Sequence, residues 1–540
     1  MSAEHAGRDL LNLRDAASEI EKIKKGGKAT VDRKPFVHIP GGSHSITDAA
    51  LALGRLLGER REYFHRGGAV VRVTYDENGV PSLQSVKASM LTSAFERVAR
   101  IVKDRKVKDE VLTEPTVMTE QGAKQILESL DFKESLPPLK ILSPCPVMIR
   151  RGDSLVEISG YDRRSGVLAS GKKTEAMTVK KARDILNDVL NEFHFASEAD
   201  RGRALAAMVT PALVFGGILN DKKAMDLGEA DQPQTGKGFR NKITAAIYNQ
   251  QVKTVTQQKK GVGSMEEMFD SYLVNGANFI CLDNLKGKID SCKIEMFLTE
   301  ENYPARVPFL GAVNIDPRRT IVMLTSNKAE MTGDLAKRSS CVRLLHRGRN
   351  HNWTAYKEGD ILDHIRANQP KYLGAVFSIL KAWDKDKQPR SRETRHNFRT
   401  WVQTLDYIVQ KYLASPPLMQ GHTETQERMT NPTINWMRDI MLLIRREGRQ
   451  NEWLKTHDLV DIISESEVMV PGLGEDGVLD DENVRKRVLQ AMGRKLAICF
   501  RAGDELRIDG HIARRNVVED PFSQRPTKEY IFEEVAEVPF

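Results

Sequence analysis

The sequence lacks the features that mark secreted and membrane proteins. Its five cysteines form no CxxC pair and have no neighbouring His at zinc-ligand spacing, so neither a disulfide framework nor a zinc finger is predicted. No run of about 18 apolar residues occurs, which excludes a predicted membrane span. The first residues also lack the charged head and apolar stretch of a secretory signal. We expect a soluble, cytoplasmic protein with no membrane partner.

The composition is that of an ordinary globular protein with a basic balance. The chain has 540 residues, of which 40% are hydrophobic and 29% are charged. At roughly 100–200 residues per domain, about three or four domains are expected. Lys and Arg total 82 against 74 Asp and Glu, which gives a net charge of +8. This excess favours a polyanionic partner, although many basic proteins bind none.

Hydrophobic spacing and composition divide the chain into five segments and predict a multidomain α/β protein. The C-terminal segment shows the helix, helix, hairpin order of a winged helix, with helices over 456–464 and 483–500 and a hairpin of 505–516 with 527–535. The five predicted segments are a basic helical arm (1–35), a small α/β module (36–170), an α/β core (171–345), a helical lid (346–425) and a winged-helix-like domain (426–540).

A candidate phosphate-binding loop, Asp231-Gln-Pro-Gln-Thr-Gly-Lys-Gly238, lies between a strand-like segment and a predicted helix over 239–249. In such loops backbone N–H groups and a helix N-terminus surround the phosphates, while a Lys adds mobile positive charge. The predicted nucleotide contacts are Gln234, Thr235, Gly236, Lys237, Gly238 and Phe239. Asp231 stands where a Gly is usual, and Gly238 where a Ser or Thr usually holds Mg²⁺. Taken alone, an ordinary turn explains this loop equally well.

Three later residues favour an ATP site. Asp283 follows the buried-strand run 279–282, where a carboxylate can hold Mg²⁺ during phosphoryl transfer. Asn327 follows a strand over 320–324 and could orient the attacking water. Arg338, in Asp334-Leu-Ala-Lys-Arg338, could reach the γ-phosphate of a neighbouring subunit. Each residue has a simple structural explanation by itself, but their order and spacing together predict a site for ATP and Mg²⁺.

These motifs resemble the AAA+ ATPase module of phage and mobile-element replication proteins, the type often fused behind a primase. The resemblance is strongest over residues 204–401 and extends over most of 36–410. The matching segments are Gln234–Gly238, Leu282–Asn284, Gly287–Ser291, Phe297–Thr299, Arg306, Thr325–Asn327, Asp334–Arg338, Val342–Leu344 and Phe398–Trp401, with Phe64–Arg72 and Gly160–Gly166 upstream.

The resemblance implies a P-loop core with a helical lid, assembly into a hexameric ring, and use of ATP to move along or open DNA. It also implies that Arg338 acts in trans. The sequence has no primase signature, so a separate primase or an initiator is a possible partner.

The chain departs from the family at Asn284, because most AAA+ ATPases place a Glu directly after the strand-end Asp. Asn284 is in the catalytic position but is not a base, and another carboxylate such as Glu295 could serve instead. Two hypotheses stay open: a DNA helicase or translocase, and an ATP-gated initiator or loader platform with little unwinding. Asn284 and Gly238 favour the platform, whereas the basic loops and the extended resemblance favour the motor. A scaffold with an inactive site is a third possibility.

Candidate DNA contacts fall into two groups. Loops that would face a ring pore contain Lys259, Lys260, Lys286, Lys288 and Arg306, and the C-terminal domain contributes Arg487, Arg494, Arg514 and Arg515. The helix over 483–500 has an apolar face and a separate Arg-rich side, as a recognition helix does. Solvated surface charge is the alternative for each lysine, and winged helices also pack against proteins.

Overall fold

A computed structural model describes most of the chain. The described residues are 34–41, 43–77, 79–107, 110–230, 234–256, 264–285, 288–307, 311–327, 329–347, 354–464, 466, 482–501, 503–508, 510–519 and 526–534. The predicted basic arm lies outside them apart from Lys34 and Pro35. Asp231 and three predicted DNA contacts, Lys259, Lys260 and Lys286, also lie outside the described residues.

The N-terminal module combines two three-stranded sheets with four helices. The sheets have the orders β1-β5-β6 and β2-β3-β4. Leu53, Phe95 and Phe132 are fully buried in the main core of the module. The elements are β1 (Phe36–His38), α1 (Ile46–Glu59), β2 (Tyr63–Arg66), β3 (Ala69–Tyr75), β4 (Pro81–Ser85), α2 (Ala88–Val98), β5 (Arg100–Val107), β6 (Glu110–Pro115), α3 (Glu120–Glu128) and α4 (Leu130–Ser135).

The next segment packs on the central domain. Apolar side chains from its strands and helices, including Met148 and Val167, belong to the large core that also surrounds the central sheet. The predicted boundary at residue 170 remains a prediction, although apolar packing crosses it. The elements are β7 (Ile141–Ser143), β8 (Val147–Arg151), β9 (Ser154–Ile158), β10 (Gly160–Asp162), β11 (Val167–Ala169), α5 (Val179–Val189) and α6 (Glu198–Phe215).

The central sheet has five parallel strands in the order β13-β14-β18-β12-β20. Its elements and their neighbours are β12 (Met225–Ala230), α7 (Lys237–Ile247), β13 (Lys253–Val255), α8 (Met265–Val274), β14 (Phe279–Leu282), β15 (Lys288–Ile289), α9 (Cys292–Thr299), β16 (Tyr303–Val307), β17 (Gly311–Ile315), a 3₁₀ turn (Pro317–Arg319), β18 (Ile321–Ser326), β19 (Glu330–Met331), α10 (Gly333–Lys337) and β20 (Ser339–Leu344). Every residue of β12, β14, β18 and β20 is buried. Because the strands are parallel, all their carboxyl ends meet at one edge. The chain is therefore a mixed α/β protein with a parallel central sheet.

Helices follow the central sheet, and a smaller body completes the described chain. Helices α11 to α13 pack on the central core, while a separate core contains Trp436, Met492 and Phe532. The elements are α11 (Ile361–Ala367), α12 (Gln369–Lys385), α13 (Arg399–Leu413), α14 (His422–Thr430), α15 (Pro432–Arg446), β21 (Leu454–Lys455), α16 (Thr456–Ser464), α17 (Glu482–Cys499), β22 (Glu505–Ile508), β23 (His511–Glu519) and β24 (Pro526–Glu534). No helix within the described ranges is long and apolar enough to cross a bilayer.

The predicted C-terminal hairpin was wrong in its first strand. The segment 505–516 does not run as one strand, because the chain reverses at Gly510, whose φ is 83°. β22 and β23 therefore pair with each other in antiparallel fashion, and β23 then pairs with β24. In place of the expected two-stranded hairpin, the structure has a four-stranded sheet of order β21-β24-β23-β22.

A buried ion pair joins α14 to the central sheet. Arg428 donates hydrogen bonds to both carboxylate oxygens of Glu229 in β12, and neither side chain is exposed to solvent. Arg438 lies 3.9 Å from the same carboxylate. The Ala329 N–H also donates to Glu229 Oε1 at 3.1 Å. Glu229 thus links β12, the segment after β18 and helix α14.

Replacing Arg428 with methionine is expected to lower the free energy of unfolding by about 3–5 kcal/mol, because the Glu229 charge would stay buried without its main partner. Removing the arginine of an exposed pair, Arg449→Ala beside Glu452, should cost at most about 1 kcal/mol. Urea unfolding of the full chain measures both values. Equal shifts in the two variants would contradict the importance of the buried pair.

A neutral histidine beside β20 makes stability depend on pH. Burial lowers the pKa of His396 to about 4, and hydrogen bonding to the Ser339 carbonyl partly opposes this effect. The Phe398 N–H donates to His396 Nδ1 at 3.1 Å, and His396 Nε2 lies 3.3 Å from the Ser339 oxygen. These contacts suit a neutral ring that carries its proton on Nε2.

The stability of the chain is expected to be highest above about pH 6.5 and to fall as the pH drops towards 4. In this window the unfolded chain binds a proton at His396 and the folded chain does not, which costs about 3 kcal/mol over the full range. Thermal unfolding at pH values between 7.5 and 4.5 measures the loss. His396→Gln should flatten the dependence without abolishing it, since burial also lowers the pKa of His422. An unchanged pH profile in His396→Gln would contradict this explanation.

Candidate active site

The described end of the predicted phosphate loop, residues 234–236, leads into helix α7 beside the carboxyl edge of the sheet. Gln234 and Gly236 both have left-handed backbone conformations, with φ values of 62° and 91°. A Cβ at Gly236 would lie 3.1 Å from the Phe193 ring, so glycine suits this position both in conformation and in space. Lys237 is the first residue of α7. The N–H groups at a helix N-terminus can bind an anion.

Lys237 lies in direct contact with Asn327. Its Nζ donates a hydrogen bond to Asn327 Oδ1. Asn327 directly follows β18, the strand beside β12 in the sheet. Two side chains 90 positions apart in the sequence therefore meet at the predicted site.

Asp283 is positioned by a threonine that the sequence analysis did not single out. The Thr325 hydroxyl donates to Asp283 Oδ1 at 2.5 Å and accepts from the Asn284 N–H at 2.8 Å. Thr325 itself is buried. Its hydroxyl thus fixes the end of β14 against the end of β18. The carboxylate of Asp283 is an oxygen donor of the kind that Mg²⁺ prefers, so this residue fits a role in holding the ion.

Asn284 occupies a backbone conformation that favours asparagine over glutamate. Its backbone is left-handed, with φ at 50°, and its side chain is exposed. Asn tolerates this conformation better than Glu does, because its short polar side chain can bond locally to the backbone. The turn after Asp283 therefore favours asparagine at this position.

Gly238 leaves open space in the first turn of α7. A Cβ built at this position would have no heavy atom within 4 Å. Packing therefore does not explain why the hydroxyl expected there is missing. Mg²⁺ bound in this site would rely on Asp283, on ligand oxygens and on water.

Arg338 lies at the edge of the sheet opposite to Lys237. It directly precedes β20, whose first residue pairs with Met225 at the start of β12. Lys237 lies beside Gly228, three residues further along β12, because a Cβ built at Gly228 would be 3.5 Å from the Lys237 Cβ. At ~3.3 Å per residue, the strand spacing alone separates these two levels by about 10 Å. Arg338 is partly exposed and lies 3.3 Å from Asp334 on its own helix. The structure therefore does not bring Arg338 and Lys237 together within one chain.

A cavity of about 300 Å³ opens beside the loop. Its apolar wall contains Phe193, Phe239 and Ile361, and the two phenylalanine rings have centroids 6.4 Å apart. The other residues that line it are Glu192, Gln234, Thr235, Gly236, Thr354 and Asp360. Of the three apolar residues, the sequence analysis identified Phe239 alone. A flat aromatic group matches this wall in size and polarity.

A buried ion pair connects helix α7 to β12, the two elements on either side of the loop. The Arg240 guanidinium, which has no solvent exposure, lies 2.7 Å from Asp226. Arg240 is in the first turn of α7 and Asp226 is in β12. The pair therefore fixes the helix N-terminus to the strand that precedes the loop. In the sequence this pair is indicated by charged residues at positions 226 and 240, where buried residues would otherwise be expected.

Glu295, the alternative catalytic carboxylate, is hydrogen-bonded to Thr332 and, among the described residues, not to those around Lys237. The Thr332 hydroxyl donates to Glu295 Oε1 at 2.5 Å. Thr332 caps helix α10, which leads to Arg338. Glu295 is therefore attached to the segment that carries Arg338, and the contacts of the described residues do not join it to Lys237 or Asp283.

The predicted DNA contacts differ in how available their charges are. Lys288 and Arg306 are exposed, as are Arg487 and Arg494 on α17. The opposite side of α17 is buried, as the hydrophobic pattern predicted, through Met492 and other apolar residues.

Two arginines of the C-terminal sheet are already paired with carboxylates. Arg514 contacts Glu505 at 3.0 Å and also bonds to Glu533. Arg515 lies 2.6 Å from Asp504. Their charges are partly neutralised within the sheet, which leaves α17 as the better basic surface of this body.

Comparison with known proteins finds similar solved structures but no family. No protein-family model matches the sequence, and no curated protein matches it. The apo A form of the NrS-1 C-terminal region covers 89% of this chain and 98% of its own, with 11% identity and a TM-score of 0.37. SCCmec type IV Cch, an active helicase, covers 88% of this chain and 92% of its own, with 9% identity and a TM-score of 0.31. JCV Helicase covers 46% and 71%, with 9% identity and a TM-score of 0.21.

Proposed function

We propose that this chain is an ATP-dependent, ring-forming DNA helicase or translocase that supports replication of a phage or mobile genetic element. The observation that carries the proposal is the meeting of Lys237 with Asn327, and of Asp283 with Thr325, at the carboxyl edge of one parallel sheet. Ligands bind at this edge in open α/β sheets. The proposed architecture is an AAA+ core with a small N-terminal α/β module, a helical lid and a C-terminal winged helix.

Each residue has a role that its position allows. The N-terminus of α7 and Lys237 would hold the β- and γ-phosphates, and Asp283 would hold Mg²⁺, which neutralises the charge that develops during phosphoryl transfer. Thr325 fixes the Asp283 carboxylate, so it is a positioning residue. Asn327, bonded to Lys237, would orient the attacking water or report the presence of the γ-phosphate. The nucleobase would occupy the cavity beside Phe193 and Phe239.

The location of Arg338 supports the proposed ring. An arginine finger must reach the γ-phosphate, and Arg338 lies at the far edge of the sheet from its own Lys237. If the edge of one subunit that carries Arg338 packs against the carboxyl edge of a second subunit, Arg338 of the first would lie near Lys237 of the second. Repetition of such a head-to-tail interface closes a ring.

An ATP-gated DNA-binding platform is the second candidate. The observation that favours it is Asn284, an amide in a left-handed turn where a catalytic base would be expected. Without that base, water activation is weak and ATP could control assembly more than movement.

Strand displacement on forked DNA tests the proposed motor. The full chain should separate the strands when ATP and Mg²⁺ are present, and Lys237→Ala should not. ATP-dependent DNA binding without displacement would support the platform instead. Absence of both displacement and ATP-dependent binding would contradict both functions.

Helix α17 is the proposed DNA contact that a charge reversal can test. Arg487→Glu with Arg494→Glu should weaken binding of single-stranded DNA at least about tenfold and reduce the steepness of its salt dependence by about 2. The control reverses Arg446 and Arg449, which lie outside α17 in the same body and each pair with a carboxylate. Fluorescence anisotropy at several salt concentrations measures both quantities. An unchanged salt slope in the α17 variant would point to docking of a protein on this helix.

A further inference from the structure

Two histidines and an aspartate converge in the N-terminal module, away from the nucleotide site. His38 ends β1, His44 follows in the loop before α1, and Asp104 lies in β5. β1 and β5 are parallel neighbours, with His38 opposite Val102. This pairing brings residues about 60 positions apart onto one surface. The proposed ATP-dependent function uses none of the three.

The nitrogen and oxygen atoms of the cluster face one another. His38 Nε2 lies 3.2 Å from Asp104 Oδ1, and His44 Nε2 lies 2.8 Å from Asp104 Oδ2. The two imidazole rings stack with centroids 3.9 Å apart and an angle of 12° between their planes. One donor atom from each residue falls within 4.8 Å of the others. Each of the two rings thus directs its own Nε2 atom at the Asp104 carboxylate.

The backbone and a neighbouring hydroxyl hold this arrangement in place. Gly41 and His44 exchange two backbone hydrogen bonds, at 3.0 and 3.1 Å, which fix the loop that carries His44. The Thr113 hydroxyl in β6 donates to Asp104 Oδ1 at 2.7 Å. An outer hydrogen bond of this kind orients a metal-binding carboxylate. The three side chains are partly exposed, so an ion can reach them from solvent.

The distances suit a small transition-metal ion. Zinc binds His nitrogen and carboxylate oxygen at about 2.0–2.2 Å, so the corners of a tetrahedral site lie about 3.3 Å apart. The two histidine nitrogens lie 3.2 and 2.8 Å from different oxygens of the carboxylate, so the nearly parallel rings must tilt for both nitrogens to bind one ion. Imidazole ligands favour zinc and its neighbours, whereas Mg²⁺ prefers an all-oxygen shell.

We propose that His38, His44 and Asp104 bind one divalent transition-metal ion of the zinc type. The protein supplies three ligands, and a fourth position remains for water or an added ligand. A bound ion would connect His44 to β5 and stabilise the edge of the β1-β5-β6 sheet. No sequence pattern predicts this site, because the spacing from His38 to His44 matches no zinc motif and Asp104 is distant.

Zinc titration of the full chain tests the proposal. After treatment with a chelator, isothermal titration calorimetry with ZnCl₂ should show a site that excess Mg²⁺ does not displace. Co²⁺ in its place should give the visible absorption of a site with nitrogen ligands. His44→Ala and Asp104→Asn should each weaken zinc binding by about 100-fold or more, because each removes a ligand. Zinc should also raise the melting temperature of the wild-type chain and not that of the variants.

His457→Ala is the matched control, because His457 is an exposed histidine 3.5 Å from Asp458 in the C-terminal body. It should leave zinc binding unchanged. Far-UV circular dichroism establishes that Asp104→Asn, the conservative variant, remains folded. Equal zinc affinity in the wild type, His44→Ala and a folded Asp104→Asn would overturn the proposal. Failure of the wild type to bind zinc at micromolar concentrations would also overturn it.

Discussion

Lys237→Ala is expected to reduce ATP turnover at least about 100-fold. The ammonium group is the positive charge nearest to the predicted phosphate position, at the first residue of α7, and it is bonded to Asn327. Its removal would take away electrostatic stabilisation of the transferring phosphoryl group, and losses of about 10²–10³ in rate are usual when one such donor is deleted. Phosphate release at saturating Mg·ATP measures the effect.

Lys242→Ala provides the control for that experiment. Lys242 lies on the same helix and is exposed. Its removal changes the net charge by the same amount, so turnover should remain within about twofold of the wild type, as for a surface substitution away from the site. Equal turnover in the wild type and Lys237→Ala would remove the basis for the proposed ATP site.

Arg338→Ala is expected to reduce turnover to a similar extent while leaving ATP binding nearly intact. The guanidinium is partly exposed and pairs with Asp334, and no contact among the described residues joins it to the Lys237 of its own chain. We therefore expect its effect on hydrolysis to operate across a subunit interface, where an arginine finger contributes about 10³ or more to the rate. Lys337→Ala, at the exposed neighbouring position on α10, is the matched control and should stay active.

Mixing the two inactive variants tests action in trans. Where a Lys237→Ala subunit supplies Arg338 to an Arg338→Ala subunit that keeps Lys237, one complete site forms. With random assembly about one quarter of the interfaces would be complete, so turnover should return to roughly that fraction of the wild-type rate. A mixture no more active than its components would contradict the shared site.

The proximity of the predicted site residues could be expected because strand ends in a parallel sheet share one edge. Lys237, Asp283 and Asn327 each come after a buried strand, and these three strands are neighbours in the sheet. Thr325 and Phe193 were not predictable in the same way. The Thr325 hydroxyl gains its role from its position beside the end of β14, and Phe193 reaches the loop from a distant segment. Both depend on tertiary packing that short-range patterns do not contain.

Asn284 shows how a departure from a motif can be reinterpreted. From the sequence it indicates unusual handling of water, since an amide is not a base. The left-handed backbone adds a second reason, because the turn itself favours Asn. Restoring a glutamate there would place it in a disfavoured conformation.

The C-terminal body shows the limits of predicting strands and surface charge. The alternation over 505–516 predicted one strand, and the reversal at Gly510 divided it into two. That change of register places Glu505 and Glu533 beside Arg514, so a basic surface expected there is partly neutralised. Cross-strand neighbours depend on register, which the sequence specifies weakly on an exposed sheet face.

We propose that the carboxyl edge of the parallel sheet hydrolyses ATP and that this hydrolysis drives movement on DNA. Steady-state ATP turnover by the wild-type chain, with and without single-stranded DNA and with Lys237→Ala alongside, tests it most directly. The account predicts Mg²⁺-dependent turnover that single-stranded DNA stimulates and that Lys237→Ala lacks. Turnover that is absent in the wild type, or equal in both proteins, would contradict it.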